Sequence, residues 1–308
     1  MKIVITGVAG FVGSNLADRL LAEGHEVIGI DNLAYGLRSQ VPAAVEFVEM
    51  DIRDRAIAGA LKGADAVYHL AAKNCIPDCE ADPVETASIN VDGSVNVFEA
   101  ARRANVPKVI YAETSALYEG SRRLPSVERD VAPLSFYAIS KFAGMTFAKR
   151  YQEHFGMRAT ALRYFNVYGP RQDYRRSIPP VMSAFIMKLL QRQRPVVYGS
   201  GEKRRDFIFV DDVNDFHVVC LTEPRTDGRT YNLGSGRNYS VLEIYERVSE
   251  LLGVRIPPEH RPDTPGDEAQ ETLADISAAR SMGWVPKISL EEGLRRSIAF
   301  IREHVLAH

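Results

Sequence analysis

The chain has 308 residues, 45% of them apolar and 25% charged, which is enough for a substantial core and about two domains and excludes long disorder. A formal net charge of -2 gives no electrostatic reason to expect nucleic acid or an anionic membrane as a partner, so any anion site must be local. Residues 1–7 run straight into a strand pattern without the apolar core of a signal peptide, and no segment reaches the ~20 apolar residues of a membrane span. The cytoplasm is the expected compartment.

Taken in chain order, six β-rich runs stand out: residues 2–6, 26–31, 45–50, 66–71, 108–112 and 158–164. Amphipathic stretches lie between most of them. In residues 11–23, for example, Phe11, Val12, Leu16 and Leu20 share one face, and Gly24 follows as a stop. Strands alternating with helices predict an α/β protein with a doubly wound parallel sheet. From about Asn166 the texture changes, and residues 169–180 hold three prolines together with Arg171, Arg175 and Arg176. Two later helices are announced by capping boxes, Ser240 with Glu243 and Ser289 with Glu292. Residues 166–308 are therefore expected to form a second, smaller, mixed α/β domain that holds the substrate. Cys75, Cys79 and Cys220 are too few for a disulfide framework. With no second Cys/His cluster beside them, Cys75 and Cys79 read as reduced thiols in a loop rather than a metal or redox pair.

The first strand leads into Thr6-Gly7-Val8-Ala9-Gly10-Phe11-Val12-Gly13 and then a helix. Gly7 permits the tight turn, Gly10 lets backbone approach a pyrophosphate, and Gly13 lets helix and sheet pack closely, while the helix start offers free N–H groups and a positive dipole end. Asp31 ends the second strand 18 residues after Gly13, where a carboxylate accepts hydrogen bonds from a ribose and repels a 2′-phosphate. The turn contains no basic residue. This pattern predicts NAD rather than NADP, bound on a Rossmann domain of residues 1–165 with a later returning segment near 205–232. Asn32, then Asp51 and Ile52 after the third strand, would flank the adenine side. Leu70, Ala71, Ala72 and Lys73 would end the fourth strand where the cofactor passes.

Tyr137 and Lys141 lie one helical turn apart on one face of the helix that follows the fifth strand, and Thr114-Ser115 ends that strand. A tyrosine with its ordinary pKa near 10 is a poor base at neutral pH. A nearby ammonium and a positive nicotinamide are expected to stabilise its phenolate and lower that pKa.

These motifs resemble the extended short-chain dehydrogenase/reductase family, and within it the UDP-galactose 4-epimerases. The likeness continues through His69-Leu-Ala-Ala72, Asn90-Val-Asp-Gly93, Arg163-Tyr-Phe-Asn-Val-Tyr-Gly-Pro-Arg171, Arg205-Asp206-Phe207 and Asn232-Leu-Gly-Ser235. It implies a catalytic Thr114, Tyr137 as acid/base, and Lys141 holding the nicotinamide ribose, with Asn90 and Tyr164 also at the cofactor. It implies a UDP-sugar substrate near Asn166, Arg171, Arg205 and Asp267, and a homodimer. The reaction implied is inversion at C4 through a transient 4-keto sugar.

The chain departs from the pattern in places. The related 4,6-dehydratases and decarboxylases carry an acid two places before the tyrosine matching Tyr118; here Ala116 stands there, with Ser115 before it, and only Glu113 and Glu119 are near. The family's uridine-binding Arg-x-Gly-Asp becomes Thr264-Pro265-Gly266-Asp267. Relatives that exclude N-acetyl sugars present a bulky aromatic at a place that is Thr272 counting back from Ala274-Asp275 and Glu271 counting forward from Asp267; Thr272 there predicts room for an acetamido group.

Overall fold

A computed structural model describes residues 1–176, 178–263 and 269–306. Its centre is a parallel sheet of β1 (Lys2–Thr6), β2 (Glu26–Asp31), β3 (Glu46–Glu49), β4 (Ala66–His69), β5 (Lys108–Thr114) and β6 (Arg158–Tyr164), joined by a seventh strand, Thr230–Leu233. The spatial order is seventh–β6–β5–β4–β1–β2–β3. Because the strands are covered on both sides, their central positions are mostly apolar. Ile3 and Ile5 enter one core cluster, while Val4 between them enters the cluster on the other face. Strand order reverses between β1 and β4, the place where a doubly wound sheet opens a crevice for a ligand.

Local chemistry sets the helix ends that matter here. The first helix, Phe11–Ala22, begins at Gly10 with no side-chain cap. The helix Phe136–Phe155 begins at Ser135, whose Oγ accepts from the Ala138 N–H, and stops at Gly156 in the left-handed region (φ 70°). Ser240 and Glu243 form the full reciprocal box expected of them, whereas at Ser289 only the hydroxyl half is made.

The returning segment is larger than expected. The helix Val210–Thr222 packs on the sheet, with Tyr68 Oη donating to the His217 carbonyl at 2.7 Å. Ile276, Ala279 and Trp284 join the same core, and Trp284 Nε1 donates to the Asp212 carbonyl at 2.8 Å. Residues 166–308 are therefore not one unit, because these apolar side chains complete the cover of the sheet. The second domain's own core gathers Phe185, Ile186, Phe209, Ile244, Val248 and Leu294, from helices Val181–Leu190, Val241–Leu252 and Leu290–His304 and the strand Ile208–Phe209 between them.

Candidate active site

One cavity of about 1590 Å³ runs from the glycine turn, over the C-terminal edge of the sheet, to the second domain. A drug-sized ligand fills roughly 300–1,000 Å³, so this space suits a dinucleotide and a second ligand together. Its lining includes Gly7, Gly10, Phe11, Val12, Gly13, Asp31, Asn32, Asp51, Ile52, Leu70, Ala71, Ala72, Lys73, Tyr137, Lys141 and Tyr164, together with Thr114, Asn166, Arg171, Arg205 and Thr272.

The dinucleotide end fits its ligand on structural grounds. Gly7 takes φ 75°, and a Cβ there would come within 2.8 Å of the Ala71 nitrogen; a Cβ on Gly13 would meet the Gly7 oxygen at 2.2 Å. Glycine is the residue these two contacts allow. A Cβ on Gly10 would meet the Gly7 oxygen at 3.2 Å, and Gly10 lines the cavity, where the uncapped N–H groups of the helix start are free for phosphate. Asp31 accepts from the Ala9 N–H at 3.0 Å and the Leu33 N–H at 2.8 Å, which aims its carboxylate and leaves lone pairs for a ribose. Burial pushes its pKa up. Asn32 Nδ2 donates to Asp51, whose carboxylate Arg53 holds down at about 2, so Asp51 stays ionised beside the adenine side.

Asn90 does not reach the cavity. It is fully buried in a π-helical turn, Ser88–Gly93, with its amide fully used: Oδ1 accepts from the Lys73 N–H, and Nδ2 donates to the Lys73 carbonyl and to Ser140 Oγ. It ties the loop after β4 to the Tyr137 helix, a supporting part rather than a cofactor contact. Lys73 lines the cavity, but its ammonium is paired with Glu85 at 2.5 Å. Below them His69 is neutral, its pKa driven down to about 3 by burial. Ser94 Oγ donates to the Asn90 carbonyl and so accepts from His69 Nε2–H, leaving Nδ1 to accept from Thr6 Oγ1. Tyr164 presents its ring to the cavity and binds His217 Nε2 behind it.

At the centre, Thr114 and Tyr137 both line the cavity, and Thr114 Oγ1 accepts from the Ala116 N–H at 3.1 Å. Burial is the largest influence on Tyr137 and pushes it up to about 12, with the nearby Thr114 hydroxyl working against that. The lowered tyrosine expected from the sequence is therefore not the ligand-free state, because burial penalises phenolate more than nearby groups favour it. Lys141 is buried, and its pKa falls to about 8 for the same reason. The two nearby acids are both engaged. Glu113 pairs with Arg163 at 2.8 Å in the interior, and Glu119 accepts from the Leu134 and Ser135 N–H groups and the Ser135 hydroxyl. Both also line the cavity, and Glu113 keeps its second oxygen, Oε1, without a hydrogen-bond partner among the described residues.

The substrate side is mixed. Asn166 Nδ2 donates to the Asp206 carbonyl and to Thr272 Oγ1, while that Oγ1 also accepts from the Asp206 N–H, so both line the cavity as braced residues. Arg205 lines it with Nη1 donating to the Arg204 and Gln270 carbonyls. Arg171 pairs with Asp18 of the first helix at 2.6 Å, Arg175 donates to the Tyr35 carbonyl, and Arg176 to Asn74 and Asp173. The arginine-rich stretch thus straps the cavity mouth instead of lying in solvent. Asp267 lies outside the described residues.

Sequence reasoning missed Tyr35, Arg122, Phe185 and Tyr198, which also line the cavity. They sit on loops and on the second domain, and no periodicity marks them. It also placed Cys75 and Cys79 in a loop; residues Ile76–Ala81 form a helix, and burial pushes both thiols up. Among the described residues no group of three or more His, Cys, Asp or Glu is placed to hold a metal ion.

The model of the "NAD dependent epimerase/dehydratase family" matches residues 3–234. This chain belongs to that family. The UDP-glucose 4-epimerase of Mycolicibacterium smegmatis is 34% identical over 311 residues, covering 98% of this chain and 99% of that one. The solved UDP-glucose 4-epimerase of Thermotoga maritima with UDP-glucose superposes with a TM-score of 0.94 at 31% identity, covering 98% of this chain and 99% of that chain. The UDP-N-acetylglucosamine 4-epimerase of Methanobrevibacter ruminantium, in complex with UDP-N-acetylmuramic acid, also gives 0.94 at 31% identity, with 99% of both chains covered. In this epimerase/dehydratase chain, the family's cofactor is the dinucleotide that the glycine cradle and Asp31 fit.

Proposed function

We propose that this protein is a nucleotide-sugar 4-epimerase of the UDP-glucose/UDP-galactose type. The observation that carries the reading is that Thr114, Tyr137 and, one turn on, Lys141 line the same cavity as the glycine cradle. The relatives' substrates support it. Tyr137 takes the proton from the sugar 4-hydroxyl, with Thr114 bridging the two oxygens, and later returns it. NAD, when bound, accepts the C4 hydrogen as hydride and gives it back. The role of Lys141 is to keep positive charge beside the phenol. Asn166, Arg205, Thr272 and, outside the described residues, Asp267 hold the nucleotide-sugar. Dehydration is disfavoured because Ala116 and Ser115 stand where the related dehydratases carry an acid.

Thr272 supports acceptance of N-acetyl sugars, since a threonine at the cavity wall leaves volume that a tyrosine would fill. A homodimer is supported by Phe136, Ile139 and Phe147, about half exposed on one side of the helix Phe136–Phe155. Phe147→Glu should give a monomer by light scattering; an unchanged mass would count against that face. No helix among the described residues is long and apolar enough to cross a membrane, which supports the cytoplasm as location. Incubation with UDP-glucose and UDP-N-acetylglucosamine, without added cofactor, tests the activity. The corresponding galacto-sugars are the expected products, and a 4-keto-6-deoxy or pentose product would overturn the reading.

A further inference from the structure

Tyr111 and Glu113 are alternate residues on β5, so both point to the same face of the sheet. The helix Phe136–Phe155 covers that face. Lys141 Nζ sits 4.3 Å from the centroid of the Tyr111 ring, and Tyr111 Oη donates to the Lys141 carbonyl at 3.3 Å. Glu113 lies one step further along the strand, toward the reacting end. Its Oε2 accepts from Arg163 Nε at 2.8 Å, and Arg163 in turn reaches Met145 Sδ, one helical turn beyond Lys141. The acid, the arginine and the lysine thus share one buried layer.

That layer is unbalanced in a way that packing alone does not explain. Arg163 is well used, donating also to Tyr118 Oη and the Glu128 carbonyl. Glu113 keeps its other oxygen, Oε1, buried and without a hydrogen-bond partner among the described residues. A buried carboxylate oxygen left unpaired is costly, so its retention calls for a compensating charge. The cation that feels it is Lys141. Glu113 is the one group that opposes the effect of burial on Lys141; burial pushes Glu113 itself up, and Arg163 first and then Lys141 work against that rise. The other groups facing the ammonium are the Tyr111 ring, neutral His69 and, one turn along, the Tyr137 phenol; none carries negative charge at neutral pH.

We infer that Glu113 is a positioning residue for the reaction: from beneath the catalytic helix it supplies the counter-charge that keeps Lys141 protonated beside Tyr137, while Arg163 fixes its carboxylate in place. This rests on the proposed roles of Tyr137 and Lys141, but the position of the charge is independent of which sugar is turned over. A carboxamide at 113 would leave Lys141 facing only Arg163 and burial, and it would shed its proton at lower pH.

The test reads the lysine itself. In protein labelled at lysine Cε with ¹³C, the Lys141 signal is assigned by its absence from Lys141→Arg, and its shift is followed with pH in the NAD-loaded protein. In Glu113→Gln the Lys141 midpoint should fall by about one pH unit, and the alkaline limb of kcat should move with it. If Glu113→Gln does not fold, Glu113→Asp carries the test. Its shorter carboxylate keeps Arg163 but draws back from Lys141, so a smaller fall is expected. A Lys141 midpoint unchanged in the folded variants would overturn the inference, as would a loss of turnover with no movement of the alkaline limb. Failure to epimerise any UDP-sugar would instead sink the proposed activity and leave the lysine titration standing.

Discussion

Tyr137 and Lys141 stand one helical turn apart, and burial moves their proton affinities in opposite directions, the phenol up to about 12 and the ammonium down to about 8. Burial opposes whichever form is charged, phenolate in one case and ammonium in the other. At neutral pH the ligand-free pair is therefore a neutral phenol beside an ammonium that is only moderately held. In the proposed reaction the phenol releases and regains a proton, a task for which Thr114 beside it works against burial.

The cost of keeping that lysine gives the first prediction. Its folded pKa lies below the ordinary 10.5, so the unfolded chain binds its proton more tightly and folding is penalised at pH 7 by roughly 3 kcal/mol. Lys141→Met should raise the melting temperature of the ligand-free protein while abolishing turnover. Between pH 8 and 10.5 the wild type gains stability as the unfolded state loses the extra proton, and the gap should close. A variant no more stable than wild type at pH 7 would contradict this.

Removing the phenol oxygen deletes the proton acceptor and little else. Tyr137→Phe should retain NAD and UDP-sugar binding and lose about 10²–10⁴-fold in kcat. Thr114→Ala should lose less, because water can replace its bridging hydroxyl. Retention of more than about a tenth of wild-type kcat in the Phe variant would remove Tyr137 from its role.

Asp31 joins the turn to the ribose. Asp31→Ala loses the bonds from Ala9 and Leu33 as well as those to the ribose hydroxyls, each worth about 1.5–3 kcal/mol when made to a charge. NAD affinity should fall by more than tenfold, and the preference over NADP should shrink. Titration calorimetry with both dinucleotides checks it; equal affinities in the wild type would refute the assignment.

Thr272 sets the substrate-size prediction. Thr272→Tyr should abolish turnover of the N-acetylated pair and spare the plain hexoses. It also removes an acceptor for the Asp206 N–H and for Asn166, so a stability loss of about 1 kcal/mol is expected alongside. An unchanged ratio of kcat/KM for the two sugar pairs would place the size limit elsewhere.

The parts legible in the sequence are those with a local cause. β1, β2 and β6 fall on the predicted residues, because strand-length apolar runs bounded by glycine, acidic residues or turns have one reading in an α/β chain. The glycine turn was legible because backbone contact leaves no room for a side chain. What stayed hidden depends on distant partners. Asn90 carries a motif expected at the cofactor, but its amide is consumed by Lys73 and Ser140, 17 and 50 residues away. Trp284 joins the sheet's core from the far end of the chain. The upward push on Tyr137 comes from burial, which no spacing of residues reveals.

The central claim is that C4 is oxidised and reduced within one bound molecule, and UDP-glucose carrying deuterium at C4 tests it most directly. Incubated in ordinary water with the purified protein, it should give UDP-galactose that keeps its deuterium at C4, read by ¹H NMR and mass spectrometry, and Tyr137→Phe should give none. Loss of the label to solvent, or its appearance at C6, would contradict the account.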